Sequence, residues 1–379
     1  MAEPRPLRVG VNLLWLVPGV VGGSEEYSTR LLAAFAEDRP DGIDLTLFVN
    51  RPFAETYPEL VAAFPTYVCP VIERSKLLRI AAEATWLLVQ AKRRGIDVLH
   101  HAGGTIPLLR MTPAVTTIHD LQPLLLPDNF SLAKQRYLRW RLPPTVRRSR
   151  LLITLTDYTR RTIVEHFGRG ADGIALVPPG YTIALSEKPE GDPIATYGID
   201  GPFFLYPAIT YPHKNHGVLV RAFALLLERH PEALLVLSGG EASEEAALAD
   251  DIERLGIGHR VRRVGRVPRG DLDWFFHHAV ALTQTSRFEG FGLPVLEAMG
   301  HGCPVLAADA TALPEVVAGA AMLLPPDDPE AWATAMAEVL EDEDTQVRLR
   351  DAGNVRVAEF RWGASAQRLA DAYRQAGSK

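Results

Sequence analysis

Short apolar runs alternate with longer amphipathic stretches along the whole chain, the pattern of parallel strands joined by crossover helices. In the first half, runs at 7–14, 45–49, 97–100, 114–118, 151–155 and 174–177 predict strands. Helices are expected in most gaps, among them 24–35, opened by Ser24 as N-cap, and 76–94. The rhythm breaks at Pro178-Pro179-Gly180, and 181–200 carries Gly, Pro and charge without period. It restarts with strands predicted at 203–206, 234–237, 261–264, 279–283, 304–307 and 322–324, followed by helices at 329–340, 345–360 and 363–375. A closed (β/α)₈ barrel needs no mid-chain break, so two doubly wound Rossmann-like α/β domains are the expected architecture. Their expected bounds are 1–180 for the first, a linker over 181–200, and 201–360 for the second; a C-terminal helix over 361–379 is expected to pack back on the first domain.

Composition narrows the class. The chain has 379 residues, 47% hydrophobic and 23% charged, which excludes a disordered or fibrous protein. Residues 1–190 hold 23 basic and 19 acidic side chains and the rest hold 17 and 27, a balance of +4 against −10. The two cysteines, Cys69 and Cys303, stand 234 positions apart without neighbouring ligand types, so neither a disulfide framework nor a zinc knuckle is expected, and a reduced, cytoplasmic setting is. The longest uncharged stretch, 9–24, has 16 residues, short of a membrane span. It resembles a signal-peptide core, but Asn12, Pro18 and Gly22-Gly23-Ser24-Glu25 read better as strand, turn and helix start.

In doubly wound sheets ligands gather at the carboxyl ends of strands, which directs attention to 285–299. There Glu289 sits in a glycine-bearing turn, Pro294 suits the first turn of a helix, and Glu297 follows eight positions after Glu289. Eight helical steps would separate the carboxylates by about 12 Å, too far for a hydrolytic pair at about 5 to 9.5 Å. Two such carboxylates suit the two ends of one long polyhydroxylated ligand, with the backbone of Gly290, Phe291 and Gly292 and the helix N-terminus facing an anion between them. For an arbitrary pair of glutamates, a solvated helix carboxylate and a turn residue are the plainer reading.

The run Glu-Gly-Phe-Gly-Leu-Pro-Val-Leu-Glu-Ala-Met at 289–299, with Gly302-Cys303-Pro304-Val305 and Leu313-Pro314-Glu315-Val316 behind it, resembles the signature of the retaining glycosyltransferases of family 4, of GT-B fold. The resemblance extends over nearly the whole chain. It implies that the second domain holds a nucleoside-diphosphate sugar: Glu297 on the ribose, Lys214 and His213 at the diphosphate, and Glu289 with the backbone from Gly290 through Leu293 on the sugar. Gly22-Gly23, a weak phosphate-loop signal by itself, matches the family's glycine loop facing donor and acceptor across the interdomain cleft. His119 and Asp120, at the end of a predicted strand, match the family's His-Asp, with the histidine beside the reacting sugar carbon and hydroxyl. Many relatives carry an arginine where this chain has Ala208, so His213 or Arg266 is expected to supply the second cation. Gly239 and the pair Arg266-Val267 resemble nucleotide-facing loops, and Tyr27 joins Asp120 on the acceptor side.

Asp271-Leu272-Asp273 imitates an Asp-x-Asp metal motif, yet its place after Gly270 and before an apolar run suits a helix N-cap and first-turn acid, so no catalytic metal is expected. No cofactor is expected either; the co-substrate is GDP-mannose or a UDP-hexose, with mannose favoured because Pro212-His213-Lys214-Asn215-His216 resembles polysaccharide mannosyltransferases. Residues 131–151 carry seven basic side chains and no acid, interleaved with Tyr137, Leu138, Trp140 and Leu142. They suit contact with an anionic membrane, or a solvated arginine-rich helix on the acceptor side; nucleic acid is a poorer fit for a chain of net charge −6. The expected activity is metal-independent retaining transfer of a hexose to a glycan, lipid-linked or small-molecule acceptor, with domain closure about a hinge near residue 180. A sugar-nucleotide epimerase and a non-catalytic sugar-nucleotide binder are the alternatives.

Overall fold

In a computed structural model of the chain, the described residues are 5–20, 22–70, 76–109, 112–182, 189 and 191–378. They form two compact units, Met1–Gly180 with Arg361–Lys379, and Tyr181–Phe360.

The first unit is a seven-stranded parallel sheet of β1 (Leu7–Leu13), β2 (Ile43–Val49), β3 (Thr66–Val68), β4 (Val98–His101), β5 (Ala114–Thr117), β6 (Leu151–Thr154) and β7 (Ile174–Leu176), in the order β3-β2-β1-β4-β5-β6-β7. Helices cover both faces, so every residue of β4, β5 and β6 is buried, which is why these strands read as continuous apolar runs rather than alternating ones. β3 has no counterpart in the sequence reading, because three half-exposed edge residues leave no periodic trace. The helix expected at 76–94 is two, Lys76–Ala84 and Trp86–Arg93, broken at Thr85. Ser24 is not an N-cap: the helix Gly23–Asp38 starts one residue earlier from Gly22, whose φ of 62° is a left-handed turn that glycine adopts at least cost.

The helix Trp362–Gly377 belongs to this first unit. It packs on Gly23–Asp38, Ser365 donates to the Pro178 carbonyl at 2.7 Å, and the Tyr373 hydroxyl meets His100 Nδ1 at 2.8 Å while His100 Nε2 meets Thr117 at 2.8 Å. Gly180 is required beneath it, since a Cβ there would stand 2.2 Å from the Trp362 nitrogen.

The second unit is a six-stranded parallel sheet of β8 (Phe203–Pro207), β9 (Leu234–Ser238), β10 (Val261–Gly265), β11 (Ala281–Gln284), β12 (Val305–Ala308) and β13 (Met322–Leu324), ordered β10-β9-β8-β11-β12-β13. Part of the expected linker is structured within it: Asp192 caps the helix Pro193–Tyr197, which ends at Gly198 with φ 63°. Tyr197 anchors that helix by donating to Asp271 at 2.5 Å and packing on Phe275. Both sheets reverse their winding direction beside their first strand, between β1 and β4 and between β8 and β11, and the carboxyl ends there are the crevices such folds offer to ligands.

Candidate active site

In the second unit, the loops after β8 and β11 are tied together by backbone contacts. The Tyr206 hydroxyl and Thr285 Oγ1 both donate to the Lys214 carbonyl, at 2.6 and 3.0 Å, and Arg287 N donates to the His213 carbonyl at 2.8 Å. This fixes the single 3-10 turn Pro212–Lys214 and aims the Lys214 ammonium at Glu289, Nζ to Oε1 2.6 Å, with both side chains largely buried. Gln284 Nε2 donates to the same Glu289 oxygen at 2.6 Å. Thr311, held at φ 52°, accepts from Glu289 N at 2.9 Å and donates back to its carbonyl at 3.2 Å. Burial alone would raise the Glu289 carboxyl, but Lys214, with hydrogen bonds from Lys214 and Ser286, holds it below the ordinary range. Burial and the Lys214 charge push His213 down to about 4, so at neutral pH it is not the second cation.

Glu297 stands on the helix Leu293–Gly300, which begins at left-handed Gly292, with Pro294 in its first turn. A Cβ on Gly292 would press on Leu313 at 2.7 Å. Phe291 is buried edge-on against Phe360. Arg269 binds Glu297 through Nη1 at 2.5 Å and Asp273 through Nε at 2.7 Å, and Asp273 also meets His301 at 3.3 Å. Asp271 is third in the helix Arg269–His278, whose N-cap is Pro268; it is a first-turn acid and not the cap. Both carboxylates of the Asp-x-Asp imitation are thus engaged by protein groups, and among the described residues no cluster of three or more His, Cys, Asp or Glu could hold a metal. Gly239, at φ 138°, lets the loop after β9 approach the Ala208 carbonyl, where a Cβ would stand at 2.4 Å. Exposed Arg266 runs alongside Gly240 in the same set of strand-end turns, with Val267 next to it.

In the first unit, His119 follows β5. Its Nε2 donates to the Ala102 carbonyl at 3.1 Å, while buried Nδ1 has no partner among the described residues. Burial lowers its pKa to about 4, so it is neutral with a lone pair on Nδ1. Trp15 and Tyr27 flank the ring at centroid distances of 6.1 and 5.5 Å. Tyr27 itself is buried, its hydroxyl spent on the Val177 carbonyl at 2.9 Å, which makes it a packing support for His119 rather than an acceptor-facing group. Asp120 accepts from Gln122 N at 2.9 Å and shapes its loop. Gly22 and Gly23 open the first helix, and Glu25 behind them fastens the turn by accepting from Gly19 N at 2.9 Å and the Tyr57 hydroxyl at 2.6 Å. Of the basic segment, the helix Leu132–Arg148 exposes Lys134, Arg136, Arg139, Arg147 and Arg148 with Leu132 and Trp140, but Arg141 is buried and donates to the Ile106 carbonyl.

Two family descriptions match consecutive parts of the chain, Glycosyltransferase Family 4 over residues 21–185 and Glycosyl transferases group 1 over residues 196–356. The chain belongs to the glycosyltransferases of family 4. O-antigen chain mannosyltransferase B of Escherichia coli is 29% identical over 377 residues, spanning 93% of this chain and 96% of that protein. Among solved structures, sucrose-phosphate synthase of Thermosynechococcus elongatus superposes with TM-score 0.77 at 22% identity, covering 97% and 98% of the two chains. The HepE protein of Anabaena, in complex with UDP and glucose, superposes with TM-score 0.73 at 21% identity, covering 96% and 98%. The fold of this glycosyltransferase is therefore GT-B. Arg269, Gln284 and Thr311 escaped the sequence reading of the donor residues: each reaches Glu289 or Glu297 from another element, and only Gln284, the polar residue closing the buried strand Ala281–Gln284, left a local trace.

Proposed function

We propose that this glycosyltransferase moves a hexose, mannose before other sugars, from a nucleoside diphosphate to a glycan, lipid-linked or small-molecule acceptor, with retention and without a metal. The observation that carries the reading is the buried Lys214–Glu289 pair at the β8/β11 switch point. An incoming diphosphate offers Lys214 a second anionic partner, and the charge that develops on the leaving group meets an ammonium and helix end already in place, with no reorganisation at the moment of transfer. Glu289, partly released, then accepts from sugar hydroxyls, and Glu297, oriented by Arg269, accepts from the ribose diol. Neutral His119 keeps Nδ1 available to the attacking hydroxyl.

The mannosyltransferase named above supports mannose and hence GDP-mannose; the likeness to a protein that binds UDP and glucose supports a UDP-hexose as the other donor. The exposed Leu132 and Trp140 beside Arg136 and Arg139 support peripheral contact with an anionic membrane at its cytoplasmic face; no helix among the described residues is long and apolar enough to cross one. A thermal-shift screen with GDP-, UDP-, ADP- and dTDP-sugars identifies the donor. Acceptor-dependent release of nucleoside diphosphate then separates transferase from epimerase and from a silent binder, and NMR of the product anomer reads retention. Release that is indifferent to every acceptor overturns the proposal.

A further inference from the structure

The carboxyl ends of β1, β4 and β5 enclose a second set of polar groups, distinct from the donor residues. Asn12, at the end of β1 and 2% exposed, accepts from Leu14 N at 3.1 Å through Oδ1, and its amide nitrogen lies 3.2 Å from His101 Nδ1. Burial holds His101 neutral, so Asn12 donates to that nitrogen, and the Asn12 side chain also helps draw the Glu83 carboxyl down. Glu83 projects from the helix Lys76–Ala84 toward these strand ends, one turn beyond Arg79. Burial pushes its carboxyl up to about 7 against the pull of Arg79, Asn12 and Arg141. Arg79 reaches the Trp15 carbonyl at 3.5 Å through Nη1, and the Trp15 ring lies over Gly103, where any Cβ would collide with it at 2.5 Å.

Among the described residues, three buried polar atoms here have no protein partner: Trp15 Nε1, Arg79 Nε and His119 Nδ1. Buried polar groups in native proteins are almost always satisfied, so three together at a topological switch point call for a ligand. Their chemistry is mixed. Trp15 Nε1 and Arg79 Nε only donate, whereas His119 Nδ1 and an ionised Glu83 only accept. A phosphate can satisfy the donors but sets its negative charge against the Glu83 carboxylate, whereas these groups ask for a neutral partner that both donates and accepts. A hydroxyl does both.

We propose that this crevice binds a carbohydrate ring of the acceptor through adjacent hydroxyls, one on His119 Nδ1 and its neighbours among Trp15 Nε1, Arg79 Nε and the Glu83 carboxylate. Asn12 and His101 act as positioning residues that hold Glu83. The proposal rests on the reading above that the first unit receives the acceptor, and it adds that what enters the crevice is a sugar and not a phosphate.

The test uses the full chain with methyl α-D-mannopyranoside as probe, followed by saturation-transfer NMR, with inorganic phosphate as competitor. The wild type is expected to show saturation of the probe that phosphate does not displace. Trp15→Phe, which keeps the ring and removes one N–H, and Glu83→Gln, which keeps the shape and removes the charge, are each expected to weaken probe binding about tenfold. Nucleoside diphosphate affinity should stay at the wild-type value in both variants, and the melting temperature in Trp15→Phe, which a merely structural role would not allow. No saturation in the wild type, unchanged binding in both variants, or displacement by phosphate overturns the proposal. Failure here with nucleotide binding and acceptor-dependent release intact leaves the transferase reading standing; absence of any sugar-nucleotide binding removes that reading instead.

Discussion

The two units share one winding pattern yet furnish their crevices in opposite ways. At the β8/β11 switch point the polar groups have found each other: Lys214 and Gln284 on Glu289, Arg269 on Glu297. At the β1/β4 switch point the histidines are desolvated and neutral, and donors and acceptors are left open. A self-paired ionic crevice is opened only by a ligand that brings charge of its own, such as a diphosphate. A neutral crevice with open atoms selects a ligand that both donates and accepts. On the proposed reading, the same backbone frame is tuned to an anion in one unit and a polyol in the other, and the tuning lies in a handful of side chains beyond the strand ends. The overall balance of +8 in the first unit (26 basic and 18 acidic side chains) against −14 in the second (14 and 28) runs contrary to this proposed division, so on this reading local pairing, and not the net field, selects each crevice's ligand.

The largest effect that would break the contrast is at Glu289. Glu289→Gln should lower the rate of acceptor-dependent nucleoside diphosphate release by about 10²- to 10³-fold; a full rate would show that the ionic pair is not part of the transfer machinery. Next comes Lys214→Met, which leaves a buried carboxylate unpaired and should cost about 3–5 kcal/mol of the second unit's stability in denaturant unfolding at neutral pH without donor. Because the Glu289 pKa is lowered on folding, its contribution is present above the ordinary carboxylate range and is lost as pH falls through the lowered value. The deficit of the Lys214 variant should therefore shrink on acidification.

Glu83 carries the opposite sign. Its folded pKa is raised from 4.5 to about 7, so its contribution to stability is complete below 4.5 and is lost as pH rises through about 7. Glu83→Gln should accordingly gain on the wild type in thermal melts as pH is raised across that window, and a gap that stays constant with pH would remove Glu83 from the buried cluster. The smallest effect belongs to the basic helix: Arg139→Gln should weaken binding to anionic vesicles by roughly 1 kcal/mol in a flotation assay, whereas Arg141, being buried, should act on folding instead.

Twelve of the thirteen strands were expected from the sequence, most of them as apolar runs, because the central strands of a parallel sheet covered on both faces bury every position. The edge strand β3 and the break at Thr85 left none, since neither interrupts an apolar pattern strongly enough. Of the site, Glu289 and Glu297 stood out through their spacing around Gly292 and Pro294 together with the family resemblance, and Lys214 through its place after β8 and the same resemblance. The clamp of Arg269 on Glu297 was not, for the two residues are 28 positions apart and meet only once the helices are packed. Trp15, Arg79 and Glu83 were equally invisible: a tryptophan, an arginine and a glutamate in unrelated segments become a site only when three strand ends and one helix converge.

The helix Trp362–Gly377 is separated from the rest of its own unit by the whole of Tyr181–Phe360. During synthesis the first sheet must therefore wait, with the face destined for Tyr373 and Trp362 uncovered, while the second unit is made, an interval on the order of 10 to 40 s at typical elongation rates. The second unit is the first that can be finished, and the earlier-made unit remains open to chaperones, or to aggregation, until the helix Trp362–Gly377 emerges.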